Sequence, residues 1–283
     1  MTVLEAIRKS SDFLAKKGVE SPRLQTELLL AHLLKLPRMN LYLNFERALA
    51  PAEVDSLREL VRRRGRREPL QHITGSTSFC GLEIAVNRHA LVPRPETELL
   101  AELGWQFLST LNPQPPTALD FGTGTGCIAI ALASKCPDAK ITALDVSPEA
   151  LLLAKQNAAA NKVAGKIKFL ETNGFAALPQ DKPFDLIISN PPYIPSAEIA
   201  TLQPEVRDFD PRRALDGGAD GLDFYRLIAL QAAAFLKPGG KVILEFGDGQ
   251  AEAVRRVFEN EKWIVEAVKE DYSQRPRILI AKL

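Results

Sequence analysis

Asn190-Pro191-Pro192-Tyr193 sets a carboxamide, backbone carbonyls and an aromatic ring side by side. The turn follows Phe184–Ser189, an apolar run that reads as a buried strand. Two consecutive prolines cannot continue a sheet, and each fixes φ near −65°. The strand is therefore expected to end in a stiff, extended turn whose carbonyls lack strand partners. Such a corner suits a planar NH2 group: oxygens accept its two N–H bonds in plane while the ring packs on its face. A loop that only caps a strand would need none of this.

A second candidate is Asp120-Phe121-Gly122-Thr123-Gly124-Thr125-Gly126, between an expected strand and an expected helix. Its glycines permit unusual dihedrals and close approach of backbone to a ligand. The dinucleotide fingerprint G-x-G-x-x-G brings a pyrophosphate to the helix N-terminus. Here the third glycine comes one residue early and Cys127 follows, which suits a nucleoside ligand without phosphate, its amino-acid portion against the loop. Asp145, at the end of the next expected strand, can accept both ribose hydroxyls; the alternative is helix capping before Pro148, although Ser147 already serves that purpose. Asp120 either orders the glycine loop or approaches a ligand ammonium. S-adenosylmethionine has the parts such a site would hold, and its sulfonium methyl would face Asn190.

These residues need a scaffold that brings them to one edge. From Thr117 onward strands and helices alternate. Strands are expected at 117–121, 140–146, 166–171, 184–189, 241–246, 263–270 and 277–282, and helices at 127–134, 148–161, 222–236 and 249–260. This alternation predicts an α/β, doubly wound, Rossmann-like sheet of seven mostly parallel strands with helices on both faces. Right-handed crossovers then collect the loops after the strands along one edge, where ligands bind. Pro-Gln-Pro-Pro at 113–116 reads as a loop, and a helix is expected to follow Leu91–Glu98 and run through about Leu108.

The first 70 residues read as a small helical domain. Val3, Leu4, Ile7, Leu14 and Leu24, Leu28, Leu29, Leu33 recur near helical spacing. Ser21-Pro22 resembles an N-cap with proline at the first helical position. Pro51 is expected to open a helix with Val54, Leu57, Leu60 and Val61 on one face, ending near Gly65. Residues 71–92 are expected to form short strands and a hairpin that connect this domain to a catalytic domain over 93–283. Arg62, Arg63, Arg64, Arg66 and Arg67 form either a solvated face that complements the helix dipole or a docking surface for an acidic partner.

Of the 283 residues, 46% are hydrophobic and 25% charged, a soluble globular balance. No apolar run approaches the roughly 18 residues of a membrane span, and Met1–Phe13 lacks the apolar core of a secretion signal. Cys80, Cys127 and Cys136 are odd in number and lack redox or metal spacing, which suits a reducing cytoplasm. His32, His72 and His89 are scattered and read as structural, so no metal site is expected. Net charge is +1; residues 1–70 hold 14 Lys/Arg against 9 Asp/Glu, and residues 71–283 hold 22 against 26.

LDFGTGTG, Asp145, SNPPY and Leu236-Lys237-Pro238-Gly239-Gly240 resemble an S-adenosylmethionine-dependent methyltransferase of the amino-methylating type. LVPRPETE and Pro69-Leu70-Gln71-His72-Ile73-Thr74-Gly75 narrow the resemblance to the HemK/PrmC family, the release-factor glutamine methyltransferases, over nearly the whole chain. The resemblance implies methylation of the glutamine amide in the Gly-Gly-Gln motif of class-1 peptide release factors, with S-adenosylhomocysteine as product. It implies that Gly122, Thr123, Gly124, Thr125, Gly126 and Asp145 hold the cofactor. Asn190 would touch both cofactor and substrate, and Pro191, Pro192 and Tyr193 would shape the glutamine pocket. Where family members often show an acidic and an aromatic residue near adenine, this chain has Thr172-Asn173-Gly174-Phe175; Asn173 and the Gly174 backbone are the expected adenine contacts.

A cytoplasmic monomer acting on protein, without membrane or direct nucleic-acid substrate, is expected. Arg94, Glu96 and Glu98 read either as a polar face beside the pocket or as an ordinary charged helix start. The rivals are a nucleic-acid N-methyltransferase using the same turn, disfavoured by the acidic balance after residue 70, and a non-catalytic module docking to the translation machinery.

Overall fold

The computed structural model describes residues 1–111, 115–178 and 184–283. The loop expected at 113–116 lies partly outside these. In chain order the elements are α1 Val3–Lys16, α2 Pro22–Leu34, α3 Pro51–Gly65, α4 Leu70–Thr74, β1 Ser76–Phe79, β2 Leu82–Ala85 and α5 Pro95–Ser109. Then come β3 Thr117–Phe121, α6 Cys127–Lys135, β4 Lys140–Asp145, α7 Pro148–Ala160, β5 Ile167–Glu171 and β6 Phe184–Ser189. The remainder are α8 Pro204–Arg207, α9 Asp223–Gln231, β7 Leu236–Glu245, α10 Ala251–Asn260, β8 Ile264–Glu270 and β9 Pro276–Lys282. The chain forms two compact units: residues 1–76 with 203–209, and residues 77–202 with 210–283.

In the larger unit seven strands run in the order β5-β4-β3-β6-β7-β9-β8. Neighbours from β5 to β7 pair in parallel, and β9 is antiparallel to both β7 and β8. Side chains alternate between two cores, one on each face. Ala118, Leu186, Ile188 and Ile243 enter one; Leu119, Ile187, Val242 and Leu244 enter the other. A strand buried on both faces must be apolar at successive positions, which is why these segments read as continuous runs. The order reverses at β3/β6: β4 and β5 extend to one side, β7 to the other. Chain leaving β3 and β6 diverges there and opens a crevice at the strands' carboxyl ends.

Three expectations need correction. Ile73 lies in α4, not in a strand; Pro69 precedes that helix and Gly75, at φ 84°, ends it. Five residues are too few for a helical period to show. Ser21 stands at the start of α2 with φ 46° and makes no side-chain cap, although Pro22 does occupy the first turn. The strand expected at 241–246 begins earlier, at Leu236: Leu236 already pairs with Phe184, and the register resumes at Leu186 with Lys241, so residues 237–240 form a bulge.

The smaller unit packs α1–α4 around Val3, Ile7, Leu14, Leu29, Leu30, Leu57 and Val61. A Thr2/Glu5 capping box opens α1. The arginine cluster divides: Arg62 and Arg66 are exposed at the end of α3, as a solvated face would be, while others turn inward. Arg64 is buried, its side chain only 4% exposed, and its guanidinium and that of Arg67 both grip Glu205, each at 2.6 Å. Arg64 also donates to Gln25 and to the Glu68 carbonyl, while Arg63 pairs with Glu68 at 2.5 Å. Glu205 sits in Gln203–Phe209, the segment of the second half of the chain that belongs to the helical unit.

Burial pushes the Glu205 carboxyl up, but the Arg67 and Arg64 hydrogen bonds outweigh it and hold the acid below the ordinary glutamate range. Glu205→Ala leaves Arg64 without its counter-charge and is expected to cost about 3 kcal/mol in denaturant unfolding. A depressed folded value means that the stabilisation is present above the unfolded glutamate range. It is lost as pH falls through the folded value. An unchanged midpoint would show that Glu205 does not stabilise this unit.

Candidate active site

The loop after β3 is fastened from below. Gly122 N–H and Thr123 N–H both donate to the Leu144 carbonyl, at 2.9 and 2.8 Å. Asp120, fully buried, accepts from the Thr123 hydroxyl at 2.6 Å and from Ala129 N–H at 3.1 Å through one oxygen. Its other oxygen, Oδ1, has no partner. Burial pushes this carboxyl up to about 7, against the pull of those bonds. Of its two expected roles, the structure shows the ordering of the loop. A Cβ at Gly122 would meet no atom within 4 Å, and φ is 73° there, so the backbone lies bare to any ligand.

Asp145, at the end of β4, clamps the same loop: Oδ2 accepts from Gly124 N–H at 2.8 Å and Oδ1 from Ser147 N–H at 2.9 Å. Helix capping falls to the Ser147 hydroxyl, which accepts from Ala150 N–H at 3.3 Å. A carboxylate offers about four lone-pair directions, so Asp145 keeps acceptor capacity for two hydroxyls.

Above this floor is a cavity of about 200 Å³. Gly122, Thr123, Gly124, Thr125, Asp145, Asn173, Gly174, Asn190, Pro191 and Pro192 all line it. The strand ends therefore bring together ten residues that lie up to 70 positions apart in sequence. Gly126 is not in the wall. It sits at φ 83° with its α-carbon against Ala154, where a Cβ would come within 3.0 Å of the Ala154 methyl; it packs the loop onto α7. Phe175 turns inward and stacks on Phe235 at 5.1 Å, leaving Asn173 and Gly174 in the cavity wall.

Tyr193 is the other departure. Its ring does not line the cavity but packs against the core beneath β6 and β7. Burial pushes its hydroxyl up to about 12, and its carbonyl accepts from Gln250 Nε2 at 2.9 Å. The half-buried ring helps anchor the turn. Gly221 passes directly over that carbonyl at φ 77°, and a Cβ there would overlap the Tyr193 oxygen. Gly221→Ala is therefore expected to lower unfolding stability by about 3 kcal/mol, from left-handed strain plus overlap. A change below about 0.5 kcal/mol in thermal or chemical unfolding would contradict this packing.

The charged start of α5 divides three ways. Arg94 reaches the cavity wall and pairs with Asp210 at 2.7 Å. Glu98 turns away to accept from Cys80 N–H at 2.9 Å, and Glu96 is exposed. Asp210 is pushed up to about 6 by burial, with Arg94 opposing. His89, read as structural, lies in the wall as well.

Sequence reasoning missed Thr97, and it reads Glu245–Gln250 as a structural turn on the ligand edge of the sheet. Thr97 is buried in the first turn of α5, and its hydroxyl accepts from Asn190 Nδ2 at 3.0 Å. Glu245 is buried at the carboxyl end of β7, one step beyond the Ser189–Leu244 pair and so next to Asn190. An acid at the end of a parallel strand beside the turn was the available signal.

A seven-stranded sheet of this order, with a cradle after β3 and a proline-braced carboxamide after β6, defines a methyltransferase of Rossmann-like fold. A family model described as "PrmC N-terminal domain" matches residues 5–75, and "Methyltransferase small domain" matches residues 104–203. The "Release factor glutamine methyltransferase" of Geobacter sulfurreducens is 46% identical over 257 residues, 91% of this chain and 88% of the relative. That of Deinococcus radiodurans is 39% identical over 282 residues, 100% of this chain and 99% of the relative. A solved methyltransferase from Pyrococcus furiosus shares the fold, with a TM-score of 0.52 and 22% identity over 78% of this chain and 97% of that one. The chain belongs to the release factor glutamine methyltransferase family. No helix among the described residues is long and apolar enough to cross a membrane.

Proposed function

We propose that this protein transfers the methyl group of S-adenosylmethionine to the side-chain amide nitrogen of the glutamine in the Gly-Gly-Gln motif of class-1 peptide release factors. It acts as a cytoplasmic monomer on the protein itself, with the helical unit gripping the factor away from the target glutamine. The observation that carries this reading is the Asn190 side chain. Its nitrogen is committed to Thr97, so its oxygen is the atom left to accept from an incoming amide.

The wall fits the cofactor's parts. The open backbone at Gly122 suits the amino-acid end, the remaining acceptor capacity of Asp145 suits ribose hydroxyls, and Asn173 and Gly174 suit an adenine edge. When bound, S-adenosylmethionine supplies an electrophilic methyl group. The chain supplies position and electrostatics. An amide nitrogen is a poor nucleophile because its lone pair is delocalised, so it must be held in near-attack geometry. Asn190 Oδ1 and the Pro191 carbonyl accept its two N–H bonds. As the nitrogen gains positive character these acceptors hold it more tightly, which lowers the barrier instead of merely binding substrate. The N-methylated cationic amide is strongly acidic, so no strong base is required beforehand.

The test is mass spectrometry of a class-1 release factor after incubation with the protein and S-adenosylmethionine. One added methyl group on the Gly-Gly-Gln glutamine is expected. Methyl label found only in DNA or RNA supplied in parallel would refute the reading.

A further inference from the structure

An asparagine amide can offer a cavity either its oxygen or its NH2 group, and the two are nearly the same shape. Only the oxygen serves a substrate NH2; the other orientation would set donor against donor. Something must therefore fix the polarity of Asn190. The turn itself does not, because its prolines constrain the backbone alone.

We propose that Thr97 and Glu245 are positioning residues that lock the Asn190 carboxamide with its NH2 inward and its oxygen toward the cavity. This rests on the functional reading of Asn190 as acceptor. The chemistry runs in one direction. A hydroxyl has one proton to give. Asn190 Nδ2 stands 3.0 Å from Thr97 Oγ1 and donates to it, so the Thr97 proton must go elsewhere. The buried Glu245 carboxyl, at the end of β7 beside Asn190 and interacting with both side chains, is the acceptor at hand. The Asn190 NH2 is thus held on the inner side by Thr97, and Oδ1 is left to face the cavity.

Glu245 Oε2 has no hydrogen-bond partner. Burial pushes the Glu245 carboxyl up to about 7, with Thr97, Arg277 and Asn190 lowering it and Glu96 raising it. Thr97 and Glu245 are each 3% exposed, so water cannot readily substitute for either partner.

The test compares Thr97→Val, which keeps shape and loses both hydrogen-bonding functions, with Thr97→Ser, which keeps the hydroxyl. Thr97→Val is expected to lower kcat on the release factor by about 10- to 100-fold, the scale of a misaligned reacting group. KM for S-adenosylmethionine should stay within about threefold, and Thr97→Ser should recover most of the rate. An activity-independent measurement accompanies it: in ¹⁵N NMR of the unmodified protein, the Asn190 side-chain NH2 protons should exchange with water far more slowly than those of exposed asparagines, and Thr97→Val should remove the protection. Fast exchange in the unmodified protein, or an active Thr97→Val enzyme with unchanged kcat, would overturn the inference alone. An unmodified protein that methylates no glutamine would instead overturn the functional reading while leaving the NMR result intact.

Discussion

Asn190→Ala is expected to lower turnover on a release factor by about 10²-fold or more, on the scale of a lost transition-state hydrogen bond. The affinity for S-adenosylmethionine, read by calorimetry, should change by less than about threefold. The split follows from geometry. The side of the cavity proposed for the cofactor is built by the glycine loop and Asp145, which are fastened to Leu144, Ser147 and α6 independently of the turn after β6. The turn is braced by its prolines, by Gln250 and by the half-buried Tyr193 ring, so it should survive loss of the carboxamide. What disappears is the oxygen that strengthens its grip as charge develops. Turnover within a few-fold of the unmodified enzyme would remove Asn190 from the mechanism.

Asp145→Ala should have the opposite signature: an increase of about 10²-fold in the dissociation constant for S-adenosylmethionine, with kcat at saturating cofactor much less affected. Two causes add. The ribose hydroxyls lose a charged acceptor, worth roughly 1.5–3 kcal/mol per hydrogen bond. Gly124 N–H loses its 2.8 Å partner, so the loop is less ordered before binding. Asp145→Asn separates them, since the amide oxygen can still accept one bond while the charge is gone; an intermediate loss is expected. Unchanged cofactor affinity in Asp145→Ala would place the ribose elsewhere.

The sheet was legible because its physics is local. Strands buried on both faces need unbroken apolar runs, and Ser147-Pro148 and the glycine loop punctuate them at the points where the chain turns. The floor of the cavity was legible for the same reason, since parallel strands must end on one edge. What stayed hidden depends on partners remote in sequence. Nothing around Thr97 distinguishes a buried relay hydroxyl from an ordinary helix start; its meaning comes from Asn190, 93 positions later. Tyr193 looked like a wall because it follows the prolines, but β6 and β7 offer its ring a deeper apolar seat. The arginines read as surface because their counter-charge, Glu205, lies nearly 140 residues away.

That distant counter-charge changes what a truncation experiment can report. The stretch after Tyr193 leaves the sheet unit at Leu202 and re-enters it at Asp210, and its middle is held by Arg64 and Arg67. Cutting away the first 76 residues would therefore do two things at once: remove the helices of the smaller unit, and strip Glu205 in the remaining segment of both guanidinium partners. The proposed recognition role is tested instead by charge reversals on exposed positions such as Arg62, which leave both guanidinium anchors and their shared carboxylate in place.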